Sequence, residues 1–220
     1  MLERPHTRKA WLGGAMLTAL GLAGIKPGSP EAAASVSCIL TPEQTEGPYY
    51  IAGEKLRRNI TDGRPGAPML LRTFVVDATT CRPIRNAAVD IWHADAGGVY
   101  SGFGAGASNR TFMRGIQRTN AKGLASFRSV YPGWYQGRTV HIHVKVHVGG
   151  NVVHTGQLFF SDTLTDAVYR ASPYGSRPNR TTRNATDSIY RDGGSRSLLH
   201  VKKSTAGLYV ATITMGVHRS

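Results

Sequence analysis

The run Thr139-Val140-His141-Ile142-His143-Val144-Lys145-Val146 alternates strictly. As a strand it places valine and isoleucine on one face and His141 and His143 on the other, roughly 7 Å apart along the backbone. That spacing lets two imidazoles reach one metal ion. Upstream stand Tyr100 and Tyr135, each in a glycine-containing loop, and Arg138 lies three residues before His141. Two phenols with two imidazoles suit a hard, high-valent cation such as ferric iron better than zinc, whose usual ligands are Cys, His and carboxylates. Singly, each residue has a plainer reading: a loop tyrosine is commonly a rim or core residue, and a His-x-His strand also occurs facing solvent. It is the combination that points to a metal.

These side chains need a scaffold of strands. Leu70 to Val76, Ala87 to Trp92, Leu124 to Val130, Thr139 to Val148, Val152 to Phe160 and Leu208 to Val217 are rich in β-branched and aromatic residues and are separated by turn residues. Long helical periodicity is absent, and the connections are short. The pattern predicts an all-β fold, an antiparallel β-sandwich with long surface loops. Ser161 to Ala206, rich in Arg, Asn, Ser and Gly, is predicted to wrap the surface, with a short helix near Thr163 to Arg170.

The first 34 residues read as an export signal. Arg4, Arg8 and Lys9 precede an apolar run from Ala10 to Ile25, and Ala32-Ala33-Ala34 supplies small residues for cleavage. At about 16 residues and interrupted by glycines, the run is too short for a stable membrane anchor. Thr7-Arg8-Lys9-Ala10-Trp11-Leu12 resembles a twin-arginine export box with lysine in the second basic position. Export followed by signal removal near Ala34 leaves residues 35–220 as one domain, and 40% hydrophobic content is enough to build its core. In an exported chain the two cysteines, Cys38 and Cys81, most simply form one disulfide; two free buried thiols are the alternative. The formal charge is +14, of which +12 lies outside the leader. Such a surface attracts anionic extracellular polymers, weakly, but no nucleic-acid motif accompanies it and many arginines are scattered between Arg170 and Arg196, so nucleic acid is not an expected partner.

Four separated segments resemble, in order, the intradiol ring-cleavage dioxygenases, the catechol and protocatechuate 3,4-cleaving type. Trp92-His93-Ala94-Asp95-Ala96-Gly97-Gly98-Val99-Tyr100 is similar to the family's first iron-tyrosine segment. Tyr131 to His143 is similar to the segment holding the second tyrosine, the catalytic arginine and the paired histidines. Thr41-Pro42-Glu43-Gln44-Thr45-Glu46-Gly47-Pro48-Tyr49 resembles the substrate-side N-terminal segment, and Gln157 falls where the family has an active-site glutamine. The resemblance runs from about Thr41 to Phe160, with a weaker echo up to Val217.

It implies one non-haem Fe(III) per chain held by Tyr100, Tyr135, His141 and His143. Tyr135 would leave the metal when an aromatic diol binds, Arg138 would stabilise negative charge, and Gln157 would orient the ring or an oxygen intermediate. Diol and O2 would give a cis,cis-muconate-type product. Gly47, Pro48 and Tyr49 either line the pocket mouth or simply form a tight turn.

The interval from Tyr135 to His141 is shorter than in the cytoplasmic enzymes, the tryptophan precedes the tyrosine instead of following it, and no helical dimerisation segment is visible. The layout is nearest to exported, single-domain members. Of the other histidines, His147 lies about 13 Å along the strand from His143, too far to share its ion, and reads as solvent-facing. His93 reads as packing beside Trp92, with support of the metal ligands as the alternative, and His154, His200 and His218 have no motif around them. The rival functions are a non-catalytic secreted sandwich binding polyphenol or carbohydrate and a His-x-His zinc hydrolase; zinc would leave the tyrosines unexplained.

Overall fold

Among the described residues, eight strands make two four-stranded sheets facing each other across one core. The computed structural model describes Cys38, residues 40–104 and residues 106–219, so the expected leader lies outside the described residues. In chain order the strands are β1 (Pro68–Asp77), β2 (Ala88–Trp92), β3 (Arg114–Arg118), β4 (Leu124–Val130), β5 (His141–Val148), β6 (Asn151–Phe159), β7 (His200–Lys203) and β8 (Tyr209–Val217). One sheet has the order β4-β1-β8-β7 and the other β3-β2-β5-β6. All pairings are antiparallel except β1 with β8, which run parallel from Met69↔Tyr209 to Asp77↔Val217.

Period-two alternation explains the core. In β1, Met69, Leu71, Thr73 and Val75 are buried while Leu70, Arg72 and Phe74 are half-exposed. Val89 and Ile91 of β2, Ile142, Val144 and Val146 of β5, and Ala211, Ile213 and Met215 of β8 complete the apolar layer between the sheets. Each fully buried branched or aromatic side chain of this kind contributes about 1.5–3 kcal/mol through area removed from water. With its apolar residues committed inward, β5 must present His141, His143 and Lys145 on the opposite face, beside Trp92 and Asp90 of β2 and Gln157 of β6.

That outer face is covered by the segment from Thr41 to Arg57, a strap joined to the sheet by backbone and side-chain bonds. The Gln44 N–H donates to Thr155 O (2.9 Å), the Ile116 N–H to Lys55 O (2.9 Å) and the Arg57 N–H to Ile116 O (3.0 Å). Glu46 pairs with Lys145, which also lies 3.8 Å over the Tyr50 ring. Ahead of the strap, Cys38 is bonded to Cys81.

The stretch from Ser161 to Ala206 runs mostly at the surface and holds the expected short helix, but several buried side chains anchor it. It opens with helix α1 (Asp162–Val168), capped by Ser161 Oγ, which accepts from the Leu164 N–H, and continues through short 3₁₀ turns and helix α2 (Ser188–Arg191) to β7. Val168, Tyr174, Asn184, Asp187 and Ser197 are buried. Tyr131, itself fully buried, exchanges a hydrogen bond of 2.8 Å with Thr165 and anchors α1 to the core. Burial of these anchors follows from tertiary partners the stretch's polar composition does not reveal. Among the described residues no helix is long and apolar enough to cross a membrane.

Candidate metal centre

Four side chains from three places meet on the strap side of the β3-β2-β5-β6 sheet. His141 and His143 open β5, Tyr100 comes from the loop after β2, and Tyr135 from the loop between β4 and β5. The Nε2 atoms of His141 and His143 approach to 3.0 Å, and Tyr135 Oη lies 3.4 Å from His141 Nε2. The Tyr100 ring is 5.6 Å from that of Tyr135 and 6.2 Å from that of His143, centroid to centroid.

Local contacts fix which atoms face the centre. His141 Nδ1 donates to Thr139 O (2.6 Å), leaving a lone pair on Nε2. The ring of His143 lies flat on Trp92, centroids 5.0 Å apart and planes within 5°. Gly47 closes on its Cε1 edge: a Cβ there would stand 3.0 Å from His143 Cε1, and the backbone φ is +73°. Gly98 is needed for the same kind of reason, since a side chain at its φ of +79° would run into Trp134 O and displace the loop bearing Tyr100.

The electrostatics fit a cation. Burial, reinforced by the Arg138 charge, pushes His141 down to about 3, and burial drives His143 well below the usual imidazole range. Both rings are therefore neutral, and their Nε2 atoms converge. Burial raises the Tyr100 phenol well above its ordinary value, and it raises Tyr135 against the opposing pull of Arg138. Tyr100 Oη is buried with no hydrogen-bond partner. An orphaned buried phenol, a second phenol and two converging nitrogens form a donor set that a hard trivalent ion satisfies, because it would favour both phenolates against desolvation. The residues present fit ferric iron.

Arg138 and Gln157 lie together at the edge of this cluster. Arg138 Nη2 donates to Gln157 Oε1 (2.5 Å), and Gln157 Nε2 donates to Thr45 O of the strap (3.0 Å). Gln157 pairs with His143 across β5 and β6, which is why it shares the ligand face. Tyr49 stacks on Tyr100 and meets Tyr135 edge-on at 6.0 Å; Pro48 and Tyr49 form the turn that carries it there. His93 is turned away, its Nδ1 2.8 Å from Ala94 O and its Nε2 2.8 Å from Ser129 Oγ. His147 is half-buried farther along β5, His154 is buried on β6, and His200 and His218 are exposed.

Three supporting residues escape a reading of the sequence. Thr45 contributes a backbone carbonyl, which no side-chain pattern announces. Arg114 of β3, 1% exposed, donates to Ser101 O (2.7 Å) and Tyr49 O (2.7 Å), tying the Tyr100 loop to the strap. Asp187 accepts from Arg138 Nε at 2.9 Å. The only local signal for Asp187 is its position as a helix N-cap before Ser188-Ile189-Tyr190.

Known proteins resemble this chain in sequence and in fold. A family model described as "Dioxygenase" matches residues 45–172, which holds every residue of the cluster. Catechol 1,2-dioxygenase 2 of Acinetobacter lwoffii is 38% identical over 107 residues, covering 45% of this chain and 38% of that protein, so this chain spans well under half the length of that curated relative. The solved structure of an intradiol ring-cleavage dioxygenase from Tetranychus urticae superimposes with a TM-score of 0.79 at 34% identity, covering 83% of this chain and 96% of that one. The dioxygenase domain of a dioxygenase carbohydrate-binding protein fusion from Streptomyces sp. SirexAA-E gives a TM-score of 0.64 at 30% identity over 83% of this chain and 100% of that one. A match through more than half of the chain, together with a structural relative covered almost end to end, establishes that this chain belongs to the intradiol ring-cleavage dioxygenase family.

Proposed function

We propose that this chain is an exported non-haem Fe(III) dioxygenase that cleaves catechol-type diols between their two hydroxyl-bearing carbons, inserting both atoms of O2 to give cis,cis-muconate-type diacids. The observation that carries the proposal is the convergence of Tyr100, Tyr135, His141 and His143 on one point, with Tyr100 Oη buried and unpartnered. Bound ferric iron would act as a Lewis acid that favours the doubly deprotonated diol.

The chain's own residues divide the remaining work. Tyr100 is 5% exposed and pinned beneath Tyr49, which suits a ligand that stays in place, whereas Tyr135 is partly exposed, which suits the ligand that leaves when the diol binds. Its phenolate oxygen can then take one of the diol's protons, so that substrate binding and proton removal occur together. Arg138 offers a fixed positive charge beside the ring, where negative charge grows during attack on O2. Gln157 holds Arg138 from one side. The strap turn at Gly47, Pro48 and Tyr49 forms the wall against which the aromatic ring lies, and the diol's ring substituents face the loops around it.

The test is optical and gasometric. Iron-loaded protein should be red-brown from tyrosinate-to-iron charge transfer, its spectrum should change when catechol is added under nitrogen, and it should consume one O2 per diol in air. Colourless protein after iron loading would refute the assignment. Tyr100→Phe and His143→Ala should each abolish iron retention. Oxygen uptake across catechol, protocatechuate, hydroxyquinol and caffeoyl compounds would identify the substrate.

A further inference from the structure

We propose that Asp187 is the positioning residue for Arg138, making the polar stretch after α1 part of the active site. The inference rests on the reading of Arg138 as the charge-stabilising residue. Asp187 stands 49 residues from Arg138 in sequence, yet its side chain is 1% exposed and all its contacts converge on this one place. Its Oδ2 accepts from Arg138 Nε (2.9 Å) and from the Thr139 N–H (2.7 Å), while its Oδ1 accepts from the Ile189 and Tyr190 N–H groups (2.9 Å each). Burial opposes the charge, but these N–H groups and Arg138 outweigh it and keep the carboxyl below its ordinary range, hence ionised.

The geometry fixes a guanidinium rather than merely closing a loop. Arg138 is held at Nε by Asp187 and at Nη2 by Gln157, at two nitrogens of a rigid plane, which leaves Nη1 unclaimed by either anchor. A single anchor would let the plane pivot about one bond; two define its orientation. Asn184 adds a second hold on the same stretch, accepting from Thr139 Oγ1 (2.6 Å) and donating through Nδ2 to Phe160 O (2.9 Å). The Thr139 carbonyl in turn accepts from His141 Nδ1. Asp187 therefore sets the approach of both Arg138 and the first strand ligand, through one ion pair and the backbone of one residue, Thr139.

Asp187→Asn removes the negative charge and one acceptor oxygen: asparagine still caps helices well, but its single oxygen cannot serve the Ile189 and Tyr190 N–H groups and the Thr139 N–H at once, so the Arg138→Met background separates the ion pair from those local bonds. The variant should retain iron in full stoichiometry and keep its charge-transfer band, while kcat/KM falls on the order of tenfold. In an Arg138→Met background the same substitution should cost less than about twofold more, since its effect passes through the missing guanidinium. Multiplicative losses in the double variant would overturn the proposal and assign Asp187 to general stability. Asp187→Ser, another good cap, serves in the same cycle should the asparagine variant fold poorly. An independent readout needs no turnover: in 15N-labelled iron-free protein the Arg138 Nε–H should exchange slowly with solvent, and in Asp187→Asn it should exchange fast. Unchanged protection would overturn the proposal even if the wild type took up no oxygen, whereas absent uptake with lost protection would count against the enzymatic reading alone.

Discussion

The ring of Tyr49 lies on that of Tyr100, centroids 4.2 Å apart with 15° between the planes. A strap residue thus forms the outer cover of a buried candidate ligand, and the strap's fit bears directly on how a diol enters. Tyr49→Ala should leave iron bound but raise the KM for catechol about three- to tenfold, the value of an aromatic pair beyond its area. Steady-state oxygen uptake with parallel iron analysis checks this, and loss of iron would instead make the stack a support of the ligand itself.

A side chain at Gly47 would press on His143, whose ring must give by a few tenths of an ångström to admit it. Gly47→Ala places a methyl at a φ of +73° and 3.0 Å from His143 Cε1, so it should destabilise the protein by about 1–2 kcal/mol and weaken iron retention. Thermal unfolding with and without iron measures both effects. Gly53→Ala, also at positive φ but with open space around its Cβ, should show only the backbone cost and keep its iron.

His93 and His154 make stability fall in acid. Burial holds each at about 4, below the 6.5 of the unfolded chain. The unfolded state therefore takes up protons first: the stability of these neutral rings is complete above pH 6.5 and is lost as pH drops from there towards 4. Each histidine adds a slope of about 1.4 kcal/mol per pH unit within that window. Urea midpoints between pH 7 and 4.5 should show the decline, and His154→Leu should flatten it; an unchanged slope in that variant would remove His154 from the account.

The Cys38–Cys81 bond closes a loop spanning 43 positions and tethers the chain just ahead of the strap. Replacing both cysteines by serine should lower unfolding stability by about 4 kcal/mol on the chain-entropy estimate. Because the strap covers the site, the KM should rise as well. Equilibrium denaturation with and without reductant measures the first effect, and the wild type under full reduction should match the double variant.

Where the sequence carried a period of two, the fold was legible. Thr139 to Val148 alternates cleanly, so both the strand and the shared face of His141 and His143 followed from it. The pieces that escaped lack that signal. In β3, Arg-Gly-Ile-Gln-Arg offers one β-branched residue, and its register is set by Trp92↔Arg114 pairing. In β7, His-Val-Lys-Lys is too short and too charged to read as a strand, and it forms because β8 supplies an edge. The parallel pairing of β1 with β8 joins residues at opposite ends of the domain, and nothing local encodes it. The same holds within the site. The shared face of the two histidines follows from alternation, Tyr100, Tyr135 and Arg138 stand out by residue type beside them and gain their roles from the family resemblance, and Gln157 rests on that resemblance, while Asp187 and Arg114 look like ordinary charged residues until tertiary structure buries them.

The parallel pairing has a further consequence, in the order in which the chain is made. Since β8 lies between β1 and β7, the last of the described strands to be synthesised is an interior member of its sheet. Until it emerges, the first strand has an open edge and the half-built barrier between the two layers stays wet. Completion of the domain must therefore await β8, and contacts of such long range close slowly.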